Sequence, residues 1–120
     1  MTSRERVQKA VNFQRLDRVP IDLGGIRASG INAAVYDSLK RRMGISTPTK
    51  IHDSMQVLAE VELEALERIH ADVVPLEAAT ARWSRQDARD GVEKTLFCGT
   101  TVYFPPGTDI AGDETSGWLL

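Results

Sequence analysis

The 120-residue sequence has little of what marks membrane, secreted or nucleic-acid-binding proteins. It has one cysteine, Cys98, which excludes an internal disulfide framework. Its uncharged apolar runs are a few residues long, far short of the roughly 20 that span a bilayer. The first residues, Met-Thr-Ser-Arg-Glu-Arg-Val, contain no apolar signal core. We therefore expect a soluble cytoplasmic protein with no membrane partner.

Neither sign of charge is in excess. The 15 Lys and Arg residues are nearly balanced by 17 Asp and Glu residues, which gives a net charge of −2. Because a nucleic-acid binder usually carries a basic face, this balance argues against a nucleic-acid partner. With 42% apolar and 27% charged residues, the chain has the composition of a folded globular protein rather than a disordered one.

Capping signals predict three helices. Thr2 and Glu5 have the spacing of a capping box, in which each side chain accepts a backbone N–H. Ser29 or Asn32 is a suitable N-cap for a second helix, and Gly44 suits its left-handed C-terminal end. The predicted helices are residues 4–13, a helix with an apolar face of Ile31, Ala34, Val35, Leu39 and Met43, and residues 55–70 capped by Asp53 or Ser54.

Two short apolar runs predict buried strands. Residues 19–23 end in Gly24-Gly25, and residues 72–76 follow a predicted helix closely. A strand–helix–helix–strand order is typical of an α/β protein with parallel pairing. The segment at 45–51, with Ser46-Thr47-Pro48, is predicted to be a loop.

The last third of the sequence is rich in β formers. Residues 95–104 favour strand structure, Gly99 indicates a bulge or tight bend, and Pro105-Pro106-Gly107 ends the run. A hairpin-like insertion is the expected structure. Further predictions are a strand at 80–84 and turns at 86–91 and 113–117. Trp118, Leu119 and Leu120 would begin another strand, so we expect the chain to be the front part of a longer protein.

Several stretches share one resemblance. They are residues 2–7, residues 17–25, Ser29-Gly30-Ile31 with Tyr36 and Leu39, residues 53–62, residues 71–74, and Asp113-Glu114 with Gly117 and Trp118. Together they resemble the start of the uroporphyrinogen decarboxylase family, which includes corrinoid-dependent methyltransferases. The resemblance implies the N-terminal part of a (β/α)₈ barrel with a helical N-terminal extension and a β-hairpin-like insertion. Such a barrel takes about 250 residues.

On this interpretation the chain is one incomplete domain. Residues 1–18 form the helical extension, residues 19–79 the first strand, helices and second strand, and residues 80–120 the β-rich insertion. Loops that follow barrel strands face the active site. The predicted substrate-binding residues are therefore Asp22, Gly24, Gly25 and Arg27, with Asp22 pointing into the barrel from its strand.

Departures from the family pattern favour its methyltransferase branch. The decarboxylases place two arginines where this chain has Gly25 and Ser29, and an aspartate where it has Ala79. A porphyrinogen carries several carboxylates and needs cationic clamps, of which Arg27 supplies at most one. The resemblance implies zinc and a corrinoid partner for the parent protein, with the zinc ligands beyond Leu120 and no cofactor bound by this segment. The expected substrate is a small molecule or a corrinoid protein.

Other interpretations remain open. Uroporphyrinogen decarboxylation is one alternative, and a non-enzymatic α/β binding module that folds alone is another. Because an incomplete parallel sheet leaves edges open, the isolated chain is also expected to form homo-oligomers or to be poorly soluble. His52-Asp53-Ser54 cannot be a serine triad, since adjacent residues do not converge. Cys98 is expected to be a buried structural thiol, and Trp83, Phe97, Tyr103 and Phe104 to pack on a sheet face.

Overall fold

The computed structural model describes residues 1–76 and 90–108, which fall into two compact units. The first unit comprises Met1–Gly30 and Val61–Leu76, and the second comprises Ile31–Glu60 with residues 90–108. The strand predicted at 80–84, the turn at 113–117 and residues Trp118 to Leu120 lie outside the described residues. In the described ranges, no helix has both the length and the apolar character needed to cross a membrane.

Helix α1, Ser3–Val11, opens the first unit as its capping signal predicts. The Thr2 hydroxyl accepts the Glu5 N–H at 3.2 Å, and the Glu5 carboxylate accepts the Thr2 N–H at 2.8 Å. The helix ends two residues before the predicted residue 13, because Phe13 adopts a left-handed conformation with φ 55°. Phe13 is therefore fully at the surface, 99% exposed.

The two strands predicted in the first unit are not formed. Residues 19–23 and 72–76 lie in irregular structure, and both contain a proline, which cannot donate to a strand ladder. The segments are nevertheless adjacent, because the Asp72 N–H donates to the Ile21 carbonyl at 2.8 Å. Helix α3, Leu63–Arg68, belongs to the same unit.

Helix α2, Ala33–Met43, begins and ends where the caps predict. Asn32 accepts the Ala34 N–H at 3.0 Å, and Gly44 closes the helix with φ 74°. The apolar face predicted for α2 is not the buried face. Val35 of the predicted face is 59% exposed, whereas the buried residues of the helix are Ala33, Tyr36 and Lys40. The buried face was not visible in the sequence because a lysine stem occupies one of its positions.

The second unit contains four strands, which are β1 Thr49–Asp53, β2 Leu58–Ala59, β3 Val92–Thr95 and β4 Thr101–Phe104. They form a mixed sheet of order β2-β1-β4-β3, in which β1 and β4 are parallel and the other two pairs are antiparallel. Strands β3 and β4 form a hairpin, and Gly99, with φ 82°, lies in its bend. The β-rich run predicted at 95–104 is therefore interrupted by this bend, and β3 begins before it, at Val92.

The structure corrects two further predictions in this unit. The predicted loop at 45–51 contains the start of β1, whose inward positions include the polar residues Thr49 and Asp53. The predicted helix at 55–70 is instead a turn, β2 and the shorter α3. Asp53 accepts the Met55 and Gln56 N–H groups, and the Glu60 N–H donates to the Lys50 carbonyl. These pairings outweigh the helical spacing of the apolar residues.

We expect the Phe104→Ala variant to lose about 3–5 kcal/mol of unfolding free energy, because Phe104 is 2% exposed and its removal leaves a cavity. Phe97→Ala is the matched control: Phe97 is 76% exposed, so its loss should change stability by less than about 0.5 kcal/mol. Urea titration followed by circular dichroism measures both. Equal effects of the two substitutions would contradict the described packing of β4.

Candidate functional site

The four predicted substrate-binding residues lie in one loop of the first unit, which we call the glycine loop, residues 22–30. Its backbone is closed on itself: the Gly24 N–H donates to the Ser29 carbonyl at 2.8 Å. The Ser29 hydroxyl donates to the Ile26 carbonyl at 3.0 Å and accepts the Ile26 N–H at 3.2 Å. A 3₁₀ turn, Arg27–Ser29, completes the loop.

Both glycines are required by close packing. Gly24 has φ 80°, and a Cβ atom there would lie 2.8 Å from Val61 Cγ2. At Gly25 a Cβ atom would lie 2.5 Å from Asp22 Oδ1 and 2.8 Å from Val73 Cγ1. Because real Cβ atoms do not approach other atoms so closely, a side chain at either position would force the loop or the facing side chain to shift.

Asp22 does not point inward from a strand as predicted. Its side chain is exposed, and its Oδ1 accepts the Gly25 N–H at 2.8 Å, so the carboxylate caps the loop. Arg27 is also exposed and begins the 3₁₀ turn. A guanidinium carries five N–H donors in a fixed fork, which suits it to bind a carboxylate or phosphate group.

Beside the glycine loop lies an ionic network that the sequence predictions missed. Arg6 donates to both oxygens of Asp17, from Nε and Nη2 at 2.8 Å each, and also pairs with Asp72. Arg18 donates to Asp72 from Nη1 at 2.6 Å and from Nη2 at 3.1 Å. The Ile21 N–H donates to Asp72 Oδ2 at 3.0 Å. We refer to Arg6, Asp17, Arg18 and Asp72 as the arginine network.

Asp72 is the buried centre of this network. Its side chain is 0% exposed, and that of Arg6 is 7% exposed. Burial alone would raise the pKa of Asp72, but hydrogen bonds from the Ile21 N–H, the Ser3 hydroxyl and the two arginines hold that pKa well below its usual range. The Arg6 guanidinium likewise lowers the pKa of Asp17. Both carboxylates are therefore ionised at neutral pH.

The remaining sequence candidates have structural roles or differ from prediction. Asp53 is buried and caps the turn that follows β1, and not the helix predicted there. Cys98 is exposed in the β3–β4 bend, and not buried as expected. Tyr103 donates to Glu93 at 2.9 Å on the sheet, whereas Phe97 is exposed. Among the described residues, no group of three or more His, Cys, Asp or Glu side chains could hold a metal ion.

Hydrogen bonding adjusts the acidity of Cys98. The Cys98 thiol donates to the Thr100 hydroxyl oxygen at 3.4 Å, and hydrogen bonding with that hydroxyl and with the Thr100 backbone lowers the pKa of the thiol. The hydroxyl rotates to donate once the thiolate forms. Because a thiolate is the nucleophilic form, we expect this exposed cysteine to be alkylated faster than it would be without the Thr100 hydroxyl.

Comparison of this chain with family models, with curated proteins and with solved structures finds no match. The glycine loop carries the exposed side chains of Asp22 and Arg27. Ile21, the residue that enters the loop, is bound to Asp72 of the arginine network.

Acid should destabilise the first unit through Asp17 and Asp72. Their pKa values are lower in the folded than in the unfolded chain, so their stabilising contribution is present above about pH 4 and is lost as pH falls below it. We expect the urea midpoint to fall between pH 6 and pH 3, and to fall less in Asp17→Asn. Glu67→Gln, which removes an exposed carboxylate, is the control. An identical pH dependence in Asp17→Asn and the native chain would contradict the assigned pairing.

Replacing Thr100 should slow alkylation of Cys98. Thr100→Val removes the hydroxyl that stabilises the thiolate, so we expect the iodoacetamide rate at pH 7.5 to fall roughly two- to fivefold. The chain has one cysteine, so mass spectrometry reports this site alone. Thr101→Val, on exposed β4 surface, is the control. A rate that is unchanged in Thr100→Val would show that the hydroxyl does not act on the thiol.

Proposed function

We propose that this chain is the N-terminal part of an enzyme of the uroporphyrinogen decarboxylase family, in the branch that transfers a methyl group between a corrinoid protein or methylated small molecule and a thiol. The observation that carries the proposal is the arginine network. It joins three of the stretches on which the sequence resemblance rests, residues 2–7, 17–25 and 71–74.

The three stretches are far apart in the sequence, but their charged residues bind one another. Arg6 and Asp72 are 66 residues apart, and Arg18 and Asp72 are 54 apart. Each stretch contributes at least one member of the network, so the residue types in the motif have a common structural reason. A chance similarity of short motifs would not require their charged residues to meet.

The pairing of Ile21 with Asp72 also supports the proposal. In a barrel of this class the first and second strands are neighbours, and the loop after each strand faces the active site. The segments at 19–23 and 72–76, which the resemblance matches to these strands, form no strand but are adjacent through the backbone hydrogen bond between Asp72 and Ile21. The glycine loop follows the first of them, which is where a substrate-facing loop belongs.

In this proposal the chain binds substrate and contributes no catalytic centre. Arg27 holds an anionic group of a small molecule, while Gly24 and Gly25 keep the loop narrow enough to close against the segment behind it. Arg27 is the one cationic residue of the glycine loop. A porphyrinogen would require several such residues for its carboxylates, which favours methyl transfer over decarboxylation.

The resemblance implies zinc, which activates a thiol for methyl transfer by deprotonating it. The described residues offer no group of three or more potential ligands. The family places its zinc ligands in later barrel strands, beyond Leu120. We therefore assign no residue of the described part of the chain to the metal.

Two steps test the proposal. The coding sequence is first read past the codon for Leu120, where a His-x-Cys pair and a later cysteine are expected. The encoded protein is then assayed for methyl transfer from methylcobalamin to a small thiol. We expect Arg27→Gln to raise the KM for an anionic substrate about tenfold, because one charge-assisted contact is lost, with little change in kcat. Arg42→Gln, at an exposed position of α2, is the control.

The outcomes separate the alternatives. If the same protein decarboxylates uroporphyrinogen and transfers no methyl group, the methyl-transfer proposal is wrong and decarboxylation is its reaction. A folded protein with neither activity would overturn the enzymatic proposal in favour of a non-enzymatic binding module. An equal change in KM for Arg27→Gln and Arg42→Gln would remove the glycine loop from the substrate site.

A further inference from the structure

We propose that Asp72 is a positioning residue for the glycine loop, and that Arg18 and Arg6 act on the loop through Asp72. The role of that loop in substrate binding rests on the proposed function. Its positioning by Asp72 rests on contacts within the first unit alone.

The first step is the contact between Asp72 and the residue that enters the loop. Asp72 binds Ile21 twice: its Oδ2 accepts the Ile21 N–H at 3.0 Å, and its own N–H donates to the Ile21 carbonyl at 2.8 Å. Both backbone polar groups of Ile21 are thereby held by one residue. The direction in which the chain leaves Ile21 is fixed by this pair of bonds.

The second step leads from Ile21 to the glycines. Asp22 follows directly, and its Oδ1 accepts the Gly25 N–H at 2.8 Å. The same space beside Gly25 is also approached by Val73, the neighbour of Asp72. The glycine loop therefore packs against Asp22 of its own segment and against Val73 of the Asp72 segment.

The third step is the role of the arginines. Arg18 Nη1 and Nη2 donate to the two oxygens of Asp72, and Arg6 Nη1 donates to Oδ1. These contacts orient the carboxylate so that Oδ2 faces the Ile21 N–H. A bidentate guanidinium–carboxylate pair has a defined geometry that a single ammonium contact lacks. Arg18 thus sets the plane of the carboxylate on which Ile21 depends.

Asp17 provides a matched comparison, because it shares Arg6 with Asp72 but has no contact with Ile21 among the hydrogen bonds described for it. Asp72→Asn and Asp17→Asn each remove one negative charge and one ion-pair partner of Arg6. Because Asp72 is buried and also pairs with Arg18, Asp72→Asn is expected to destabilise the unit more than Asp17→Asn does. A network that only stabilises the unit would then speed the exchange of the α3 amides as much as that of the loop amides. A positioning role for Asp72 predicts that the loop responds to one of the two substitutions.

The test is amide hydrogen exchange of the whole 120-residue chain, measured by NMR in native buffer at pH 7. In Asp72→Asn we expect the Gly24 and Gly25 amides to exchange roughly tenfold or more faster, because the loss of a charged hydrogen bond lets the loop open. The Leu66 amide of α3 and that of its C-cap Ile69, in the same unit, should accelerate less than about twofold, and an acceleration equal to that of the glycine amides would contradict the positioning role. Val102 and Ile51 of the sheet should keep their rates. In Asp17→Asn the two glycine amides should stay within about twofold of the native rate.

A second variant keeps the proposal testable if Asp72→Asn does not fold. Arg18→Lys retains the positive charge but replaces the two guanidinium contacts with one, and should give an intermediate acceleration at Gly24 and Gly25. Equal acceleration of these amides in Asp72→Asn and Asp17→Asn would overturn the proposal, as would native rates in both Asp72→Asn and Arg18→Lys. None of these measurements depends on enzymatic activity, so the proposed function and the positioning role can fail separately.

Discussion

The first unit depends on one buried carboxylate. Burying an apolar group is favourable, whereas burying an unpaired charge costs free energy, so Asp72, with a side chain that is 0% exposed, requires hydrogen-bond partners. Asp72 accepts hydrogen bonds from Arg6 in α1, from Arg18 in the segment after α1, and from the Ile21 N–H at the entrance to the glycine loop. These contacts join the two sequence segments of the unit, Met1–Gly30 and Val61–Leu76.

The second unit also buries a charged group, the ammonium group of Lys40. The Lys40 side chain is buried on α2, where its Nζ donates to the Thr47 carbonyl at 2.8 Å and lies 5.2 Å from the centre of the Tyr36 ring. Backbone carbonyls and an aromatic face both stabilise an ammonium group. The lysine thereby ties the helix to the loop that leads into β1. In both units, a buried charged side chain therefore joins neighbouring segments through its hydrogen bonds.

The accurate structural predictions were those that depended on residues close together in the sequence. The capping box of Thr2 and Glu5 and the caps of α2 at Asn32 and Gly44 involve residues within one turn of each other, so their geometry follows from the chain itself. The hairpin of β3 and β4 is local in the same sense. The helix predicted at 55–70 failed because Val57 adopts φ 52° and Glu60 pairs with Lys50 across β1 and β2. Apolar spacing alone does not reveal such partners.

The same distinction between local and long-range contacts applies to the candidate site. The sequence by itself determined that Gly24, Gly25 and Arg27 share a loop, because glycines at the end of an apolar run mark a turn between adjacent residues. It also determined the residue types of the arginine network. Only the tertiary structure decided that Arg6 and Arg18 meet on Asp72, and that Val61 and Val73 leave no room for a side chain at the two glycines. The physical reason is that these contacts join residues as much as 66 positions apart, and they depend on which groups are buried together rather than on any periodicity of the chain.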